Sequence, residues 1–134
     1  TLAQWAHESN WGTSELAIRH NNFGGIKYRD RMAGHASPVR YAGRLDGLQT
    51  YCRFQDVDTF IRGYWHFIQS GSYRGWQRFE DRPMAFIAHL KARGYAEDPQ
   101  YVDKIAHIYQ GFRNETDVAA SGSEDTGPRS RVIC

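Results

Sequence analysis

The N-terminal part of the chain carries the apolar spacing of helices. Residues 1–11 are typical of one helix, and Gly12 is expected just beyond its end. Ser14 then predicts the N-cap of a second short helix, which runs to His20. The segment NNFGGIKY follows, and its two asparagines and two glycines predict a tight turn rather than a regular element.

Between residues 25 and 55 the pattern changes to short apolar runs. The runs VRYA and LQTYCRF are separated by AGRLDG, in which glycine and aspartate favour a turn. We therefore expect a β-hairpin that forms a small lobe, inserted after the second helix.

The helical period returns at Asp56, which we predict to be an N-cap. Apolar residues of this helix recur on one face until Gly71 ends it. They are Val57, Phe60, Ile61, Tyr64, Trp65 and Ile68.

Two further helices are predicted nearer the C-terminus, one over residues 83–93 and one from a cap at Asp98. The buried stripe of the last helix is Tyr101, Ile105, Ile108 and Phe112. Small and polar residues dominate after residue 112, and they bury too little surface to offset the cost of ordering. We therefore predict one mainly helical α+β domain over residues 1–112 and a loose tail over residues 113–134.

Composition narrows the classes of function. A chain of 134 residues is long enough for one core, and its net charge of +2 is weak for a nucleic-acid partner, so none is expected. No apolar run approaches the roughly 20 residues of a bilayer span, and no signal segment is recognisable. The first residues look like the middle of a helix, which suggests that the natural chain extends before Thr1. The histidine spacing predicts no metal site, and we expect a monomer without a cofactor.

Glu8 is the residue that best fits a catalytic role. It lies near the carboxyl end of the first predicted helix, where the helix dipole disfavours a second negative charge. Trp5 and Trp11 lie three residues to either side and are expected to exclude water from its face. Both effects raise a carboxyl pKa, as the general acid of glycoside cleavage requires. The alternative is a solvated glutamate on an amphipathic helix.

Two motifs resemble those of the glucosaminidase family, glycoside hydrolase family 73. The first is AQWAHESNWGTSELA followed by NNFGGIKY, and the second is GYAEDPQYVDKI, over residues 94–105. The resemblance covers residues 1–112 and implies a lysozyme-like fold, in which a sugar-binding cleft separates a helical lobe from a β lobe.

The same resemblance implies roles for individual residues. Glu8 becomes the general acid, and Tyr95 faces the cleft near the reacting sugar, although packing at a corner is an equal alternative for Tyr95. Further substrate contacts are expected from the residues Trp11, Asn22, Phe23, Gly24 and Tyr101.

The sequence does not determine which group acts as the second catalytic group. Many members of the family place a second glutamate in the β lobe, but residues 25–63 contain none. Asp30 and Asp46 are the remaining catalytic candidates, because Asp56 and Asp58 are expected at the start of a helix. Attack by the acetamido group of the substrate itself is the alternative.

The expected activity is hydrolysis of β-1,4 bonds in peptidoglycan glycan strands, at the bond that follows N-acetylglucosamine. Alternatives are cleavage after N-acetylmuramic acid and a wall-binding module without activity. The expected location is the periplasm or the cell exterior, and a role as an antibacterial effector would imply a protein inhibitor that occupies the cleft.

The sequence leaves two possibilities open for the two cysteines: Cys52 and Cys134 form a disulfide, or both stay free.

Overall fold

The computed structural model describes residues 1–43 and 47–121, with side chains described for residues 1–42 and 47–115. This part of the chain contains helices and one antiparallel pair of strands, which confirms the predicted α+β class. The elements are α1 (Leu2–Glu8), α2 (Glu15–His20), β1 (Ser37–Gly43), β2 (Gly47–Arg53), α3 (Val57–Ser70), α4 (Pro83–Ala92) and α5 (Tyr101–Ser121), with 3-10 helices at Asp30–Met32 and Trp76–Phe79. No helix within the described ranges is long and apolar enough to cross a membrane.

Two predicted helix starts are confirmed by their caps. The Ser14 hydroxyl accepts a hydrogen bond from the backbone N–H of Ala17 at 3.1 Å, and α2 begins at the next residue. Asp56 Oδ1 accepts from the N–H of Thr59 at 2.7 Å, and α3 begins at Val57. In both cases a short polar side chain satisfies a donor that the first helical turn leaves without a partner.

Helix α1 ends earlier than the sequence predicts. It stops at Glu8, and Asn10, Trp11 and Gly12 all take left-handed backbone conformations, with φ of 52°, 58° and 78°. Ser9 stabilises this exit, since its hydroxyl donates to the carbonyl of Trp5 at 2.6 Å and accepts from the N–H of Gly12 at 2.8 Å. The prediction that Trp11 and Glu8 share one helical face is therefore wrong.

Helix α5 differs from its prediction at both ends. It begins at Tyr101 rather than directly after Asp98, although Asp98 Oδ1 still accepts from the N–H of Gln100 at 2.9 Å. At its other end it continues to Ser121, past the predicted boundary at residue 112. The remainder of the predicted tail, residues 122–134, lies outside the described residues.

The predicted hairpin is confirmed, and its second strand is bonded on both sides. Strands β1 and β2 pair from Ser37 opposite Arg53 to Gly43 opposite Gly47. On the other side of β2, the N–H of Cys52 donates to the carbonyl of Ile26 at 2.9 Å, and a bridge joins Lys27 to Tyr51. The segment after α2 is thereby fixed against the hairpin. We call this region, residues 22–28 with the carboxyl half of β2, the turn–hairpin junction.

The core lies between α3, α4 and α5. Phe60, Tyr64 and Ile68 of the predicted α3 stripe are buried, with exposed fractions of 1%, 0% and 0%. Val57 and Ile61 are exposed instead, at 47% and 37%, because these two residues, four positions apart, lie on a different row along α3 from the three buried ones. Contact with α1 and α4 orients α5. Tyr101 and Ile105 of its predicted stripe are buried, whereas Ile108 and Phe112 are half-buried.

Candidate active site

Glu8 is the last residue of α1, and its surroundings favour the protonated form. Burial of the carboxyl group raises the pKa of Glu8 from an ordinary 4.5 to about 7. A hydrogen bond from Tyr101 acts in the opposite direction, because it stabilises the carboxylate. Burial is the larger effect, so the Glu8 carboxyl group keeps its proton to a higher pH than an ordinary glutamate does. The residue as a whole keeps a partly exposed surface.

A chain of side-chain hydrogen bonds leads from the core to Glu8. Tyr64 of α3 donates its hydroxyl to Gln4 Oε1 at 2.6 Å. Gln4 Nε2 donates to the hydroxyl oxygen of Tyr101 at 3.0 Å, and the Tyr101 hydroxyl donates to Glu8 Oε2 at 2.7 Å. We call this set of four residues the Gln4 relay. Its members come from three helices, α1, α3 and α5.

Sequence reasoning missed two members of the Gln4 relay and gave a third another role. Tyr64 was predicted only as core, and Tyr101 as part of the buried stripe of the last helix and as a substrate contact. Gln4 was not singled out, although it lies one helical turn before Glu8 on the same side of α1. The signal that could have identified Gln4 is its position as a polar residue between the apolar residues Ala3 and Ala6.

The turn over residues 22–26 approaches Glu8 from another direction. A side-chain carbon built at Gly25 would lie 3.0 Å from Glu8 Oε1, and Gly25 has a φ of +62°. The position therefore favours glycine for two reasons, the close approach of the carboxyl group and a left-handed backbone.

Asn22 builds this turn from inside the protein. It is 1% exposed, and its amide donates to the carbonyls of Ile26 and Cys52, both at 2.9 Å. Its oxygen accepts from the N–H groups of Gly24 and Ile26 at 3.3 and 3.1 Å. The predicted contact of Asn22 with substrate is not available in this arrangement, because the amide is buried and fully hydrogen-bonded. Asn22 acts on the site through the backbone that it holds.

Tyr95 connects this turn to the helices. Its hydroxyl donates to the carbonyl of Gly24 at 2.8 Å, and its ring contacts Phe67, Tyr73 and Tyr101. Burial raises the pKa of Tyr95 well above 10, so the hydroxyl remains protonated and able to donate. The ring of Tyr95 therefore packs at a corner, as the alternative interpretation expects, and its hydroxyl stabilises the turn beside Glu8. A direct part in the reaction stays a prediction.

Trp11 and Phe23 lie at different depths. Trp11 is 53% exposed, and its ring meets that of Phe112 edge-on at 5.6 Å between centroids. Phe23 is half-buried and packs edge-on against Phe60 at 5.4 Å. Trp5, which the sequence places next to Glu8, packs into the core against Phe60 and Tyr64, at 5.0 and 5.1 Å. Trp11 therefore offers an exposed apolar surface, whereas Trp5 and Phe23 mainly support the core.

Residues 1–114 match a family model described as glucosaminidase, mannosyl-glycoprotein endo-beta-N-acetylglucosaminidase. The chain belongs to the glucosaminidase family. The match spans α1, the turn, the hairpin and the start of α5, so every residue of the site discussed above lies within the family domain.

Among curated relatives, the peptidoglycan hydrolase FlgJ of Pseudomonas aeruginosa is 29% identical over 94% of this chain and 34% of its own length. The exo-glucosaminidase LytG of Bacillus subtilis is 28% identical over 84% of this chain and 43% of its own length. A putative endo-beta-N-acetylglucosaminidase of Streptococcus pneumoniae is 34% identical over 80% of this chain and 14% of its own length. The chain spans less than half the length of each of these relatives.

Solved structures confirm the predicted lysozyme-like fold of the family. A peptidoglycan hydrolase from Sphingomonas sp. A1 superposes with a TM-score of 0.71 at 22% identity, covering 96% of this chain and 81% of that one. The catalytic domain of the autolysin Auto from Listeria monocytogenes gives 0.60 at 22% identity, covering 83% of this chain and 69% of that one.

The two aspartates proposed as a second catalytic group have different outcomes. Asp30 begins the 3-10 helix Asp30–Met32 and is exposed, and it makes no hydrogen bond to Glu8. Burial, and not a neighbouring carboxylate, is what raises the pKa of Glu8. Asp46 lies outside the described residues. In the part of the chain that the structure describes, no three His, Cys, Asp or Glu side chains form a metal site.

A groove of about 410 Å³ lies between α1 and α5. Its lining consists of His7, Gln100, Asp103, Lys104, His107 and Ile108. Glu8 does not line this groove, but His7, which does, packs edge-on against the ring of Tyr101 at 5.5 Å between centroids.

Proposed function

We propose that this chain is the catalytic domain of a peptidoglycan glycosidase in which Glu8 is the general acid. The observation that carries the proposal is the buried Glu8 carboxyl group, with a pKa of about 7, beside the backbone of Gly25. A carboxylic acid that keeps its proton near neutral pH is what cleavage of a glycosidic bond requires.

In the proposed reaction, Glu8 transfers its proton to the glycosidic oxygen as the bond from that oxygen to the anomeric carbon breaks. A water molecule then supplies the hydroxyl group at the anomeric carbon, and the proton released returns the site to its starting state. Each cleaved bond consumes one water molecule.

The proposed substrate is the β-1,4 glycan strand, cleaved after N-acetylglucosamine. The family description and the names of two relatives, an exo-glucosaminidase and a putative endo-beta-N-acetylglucosaminidase, favour this bond. Mass spectrometry of fragments released from purified sacculi tests the choice. A new reducing end on N-acetylglucosamine supports it, whereas a reducing end on N-acetylmuramic acid assigns the enzyme to the alternative, muramidase activity.

The role of Glu8 is tested by clearing of a sacculus suspension. Glu8→Gln keeps the shape of the side chain but carries no transferable proton, and we expect activity to fall by about 10²–10⁴-fold. Glu15→Gln is the matched control, because Glu15 is exposed in the first turn of α2 and forms an ion pair with Arg19 at 3.4 Å. Near-normal clearing by a folded Glu8→Gln protein contradicts the proposal, and co-sedimentation of the unmutated protein without clearing assigns it to a binding module.

The second catalytic contribution is proposed to come from the acetamido group of the substrate, because Asp30 is exposed and is not among the groups that shift the pKa of Glu8. A thiazoline analogue of the cyclic intermediate should then inhibit the enzyme, and Asp30→Asn and Asp46→Asn should stay active. Loss of activity in either aspartate variant, together with no inhibition, assigns the role to that aspartate instead.

The proposed setting is the cell wall, reached from the periplasm or the exterior, with the protein acting as a monomer. Expression directed to the periplasm should lyse a bacterium, whereas the Glu8→Gln protein should not. A role as an antibacterial effector would add a tight protein inhibitor over the site. Affinity capture from the native host tests this role, and recovery of no such partner counts against it.

A further inference from the structure

The Gln4 relay has a fixed direction. Each tyrosine hydroxyl has one hydrogen to donate, whereas an amide oxygen only accepts and an amide nitrogen only donates. Tyr64 donates to Gln4 Oε1, so the Gln4 amide presents its nitrogen to Tyr101. The Tyr101 oxygen therefore receives a hydrogen bond, and its own hydrogen goes to Glu8.

The relay is also shielded from solvent. Gln4 and Tyr64 are 0% exposed, and Tyr101 is 2% exposed. Because water does not compete at these positions, reversing one hydrogen bond would require the amide of Gln4 to turn over and both tyrosine hydroxyls to rotate.

This direction distinguishes the two oxygens of Glu8. Oε2 is occupied by the Tyr101 hydroxyl, while no hydrogen bond from the described residues reaches Oε1, which lies beside Gly25. When Glu8 is protonated, Oε2 continues to accept from Tyr101, and the proton resides on Oε1. A proton on Oε2 would instead be held in a hydrogen bond to Tyr101 and would face the helices.

We propose that Gln4 is a positioning residue that commits Tyr101 to donate to Glu8 Oε2 and so keeps the transferable proton of the acid on Oε1. The inference rests on the proposed role of Glu8 as the general acid, and it adds a reason why α1 carries a buried amide one turn before that acid.

The test replaces Gln4 by methionine, which has a similar length and no hydrogen-bonding amide. Tyr101 is then free to rotate and to accept the proton of Glu8, which stabilises the neutral acid and holds its proton on Oε2. We expect kcat to fall about tenfold, a part of the contribution of the general acid. The alkaline limb of the pH profile should move upward by about half a pH unit or more.

The alkaline limb reports Glu8 because the pKa values of its titratable neighbours are shifted away from it. Burial holds the pKa values of Tyr64, Tyr95 and Tyr101 above 10. The pKa of His7, the preceding residue, is lowered by burial and by Lys104, against a smaller opposing effect of Asp98. An NMR titration of the Glu8 carboxyl carbon measures the same shift without any turnover.

Two further variants keep the test decisive. Tyr64→Phe leaves the Gln4 amide in place but removes the donor that orients it, so the shift should have the same direction and a smaller size. Tyr73→Phe is the matched control, since Tyr73 is a buried tyrosine that packs against Tyr95 and lies outside the relay. It should leave the Glu8 titration unchanged.

A double-mutant cycle distinguishes positioning from a loss of packing. If Gln4 acts through Tyr101, then Gln4→Met adds little to the kcat loss of Tyr101→Phe, whereas independent structural damage would multiply the two losses. An unchanged Glu8 titration in folded Gln4→Met and Tyr64→Phe proteins overturns the inference. Normal turnover in Glu8→Gln would contradict the proposed function instead. In that case the NMR titration of Glu8 in the wild-type, Gln4→Met and Tyr64→Phe proteins would still measure the effect of the relay.

Discussion

Glu8 is bordered by two regions that are built in different ways. On the helical side, side chains make the contacts, since Gln4, Tyr64 and Tyr101 form a directed chain of hydrogen bonds that ends on the carboxyl group. On the turn side, the backbone of Gly25 approaches the other carboxyl oxygen, and Asn22 holds that backbone from beneath.

The difference separates chemical tuning from shape. Changes on the helical side alter which groups donate to Glu8, and thereby its proton affinity, while the backbone stays in place. Changes on the turn side move backbone atoms, so they affect the space next to the acid and the stability of the turn–hairpin junction. The four predictions below test this division, from the largest expected effect to the smallest.

Asn22→Ala should lower the free energy of unfolding by about 3–4 kcal/mol, because four hydrogen bonds are lost and their backbone partners stay buried. Denaturant unfolding measures the change. Asn114→Ala is the control, since Asn114 is exposed and makes one long hydrogen bond, 3.4 Å, with Gln110. A loss for Asn22→Ala as small as that of the control would mean that the turn does not depend on Asn22.

The burial of Glu8 should make stability depend on pH. Its pKa is about 7 in the folded protein against an ordinary 4.5, so the folded state binds the extra proton between these values. The contribution of Glu8 to the free energy of unfolding should therefore be largest below pH 4.5. It should fall as pH rises towards 7, by about 3 kcal/mol at most.

Unfolding curves of the wild-type protein and Glu8→Gln across this range check the prediction. Glu8→Gln should be more stable than wild type at pH 8 and similar at pH 4.5, because glutamine has no proton to lose. Parallel curves for the two proteins would show that the carboxyl group titrates normally.

Gly25→Ala should lower turnover about tenfold, because the new methyl group would lie 3.0 Å from Glu8 Oε1 and displace the carboxyl group. Gly34→Ala shares the backbone strain, with φ of +87° against +62°, but its methyl group would meet no atom within 4 Å. Both variants should lose some stability, and only Gly25→Ala should lose activity. Equal turnover in the two would place the turn outside the active site.

Tyr95→Phe should have the smallest effect, a loss of about 1 kcal/mol of stability with turnover changed by less than about threefold. The substitution removes the hydrogen bond of 2.8 Å to the carbonyl of Gly24 and keeps the ring packing. Thermal unfolding and steady-state kinetics on the same samples separate the two effects. A large fall in turnover at unchanged stability would assign the hydroxyl to the reaction.

Local signals in the sequence predicted several elements correctly. The caps Ser14 and Asp56, the hairpin and the position of Glu8 at a helix end all depend on residues a few positions apart. The early end of α1 was not predictable in this way, because Asn10 and Trp11 take left-handed conformations without a glycine or proline before Gly12 to signal them.

The missed part of the site depends on long-range contacts. The hydrogen bonds of Gln4 reach residues 60 and 97 positions away, and no pattern within one helix specifies such partners. Likewise, the bond from the Asn22 amide to the carbonyl of Cys52 is available only once β2 lies beside the turn, whereas the other three bonds of Asn22 stay within the turn. The asparagine in the motif signals a turn, but not that its amide is buried.

Cys52 gives the turn–hairpin junction a built-in chemical reporter. Its thiol is 0% exposed, burial raises its pKa to about 12, and its backbone is bonded to Ile26 and Asn22. A thiol in this state reacts with alkylating reagents only when the junction opens, since thiolate and access are both required. The rate of labelling at Cys52, followed by peptide mass spectrometry, therefore counts spontaneous openings of the backbone next to Glu8 under native conditions.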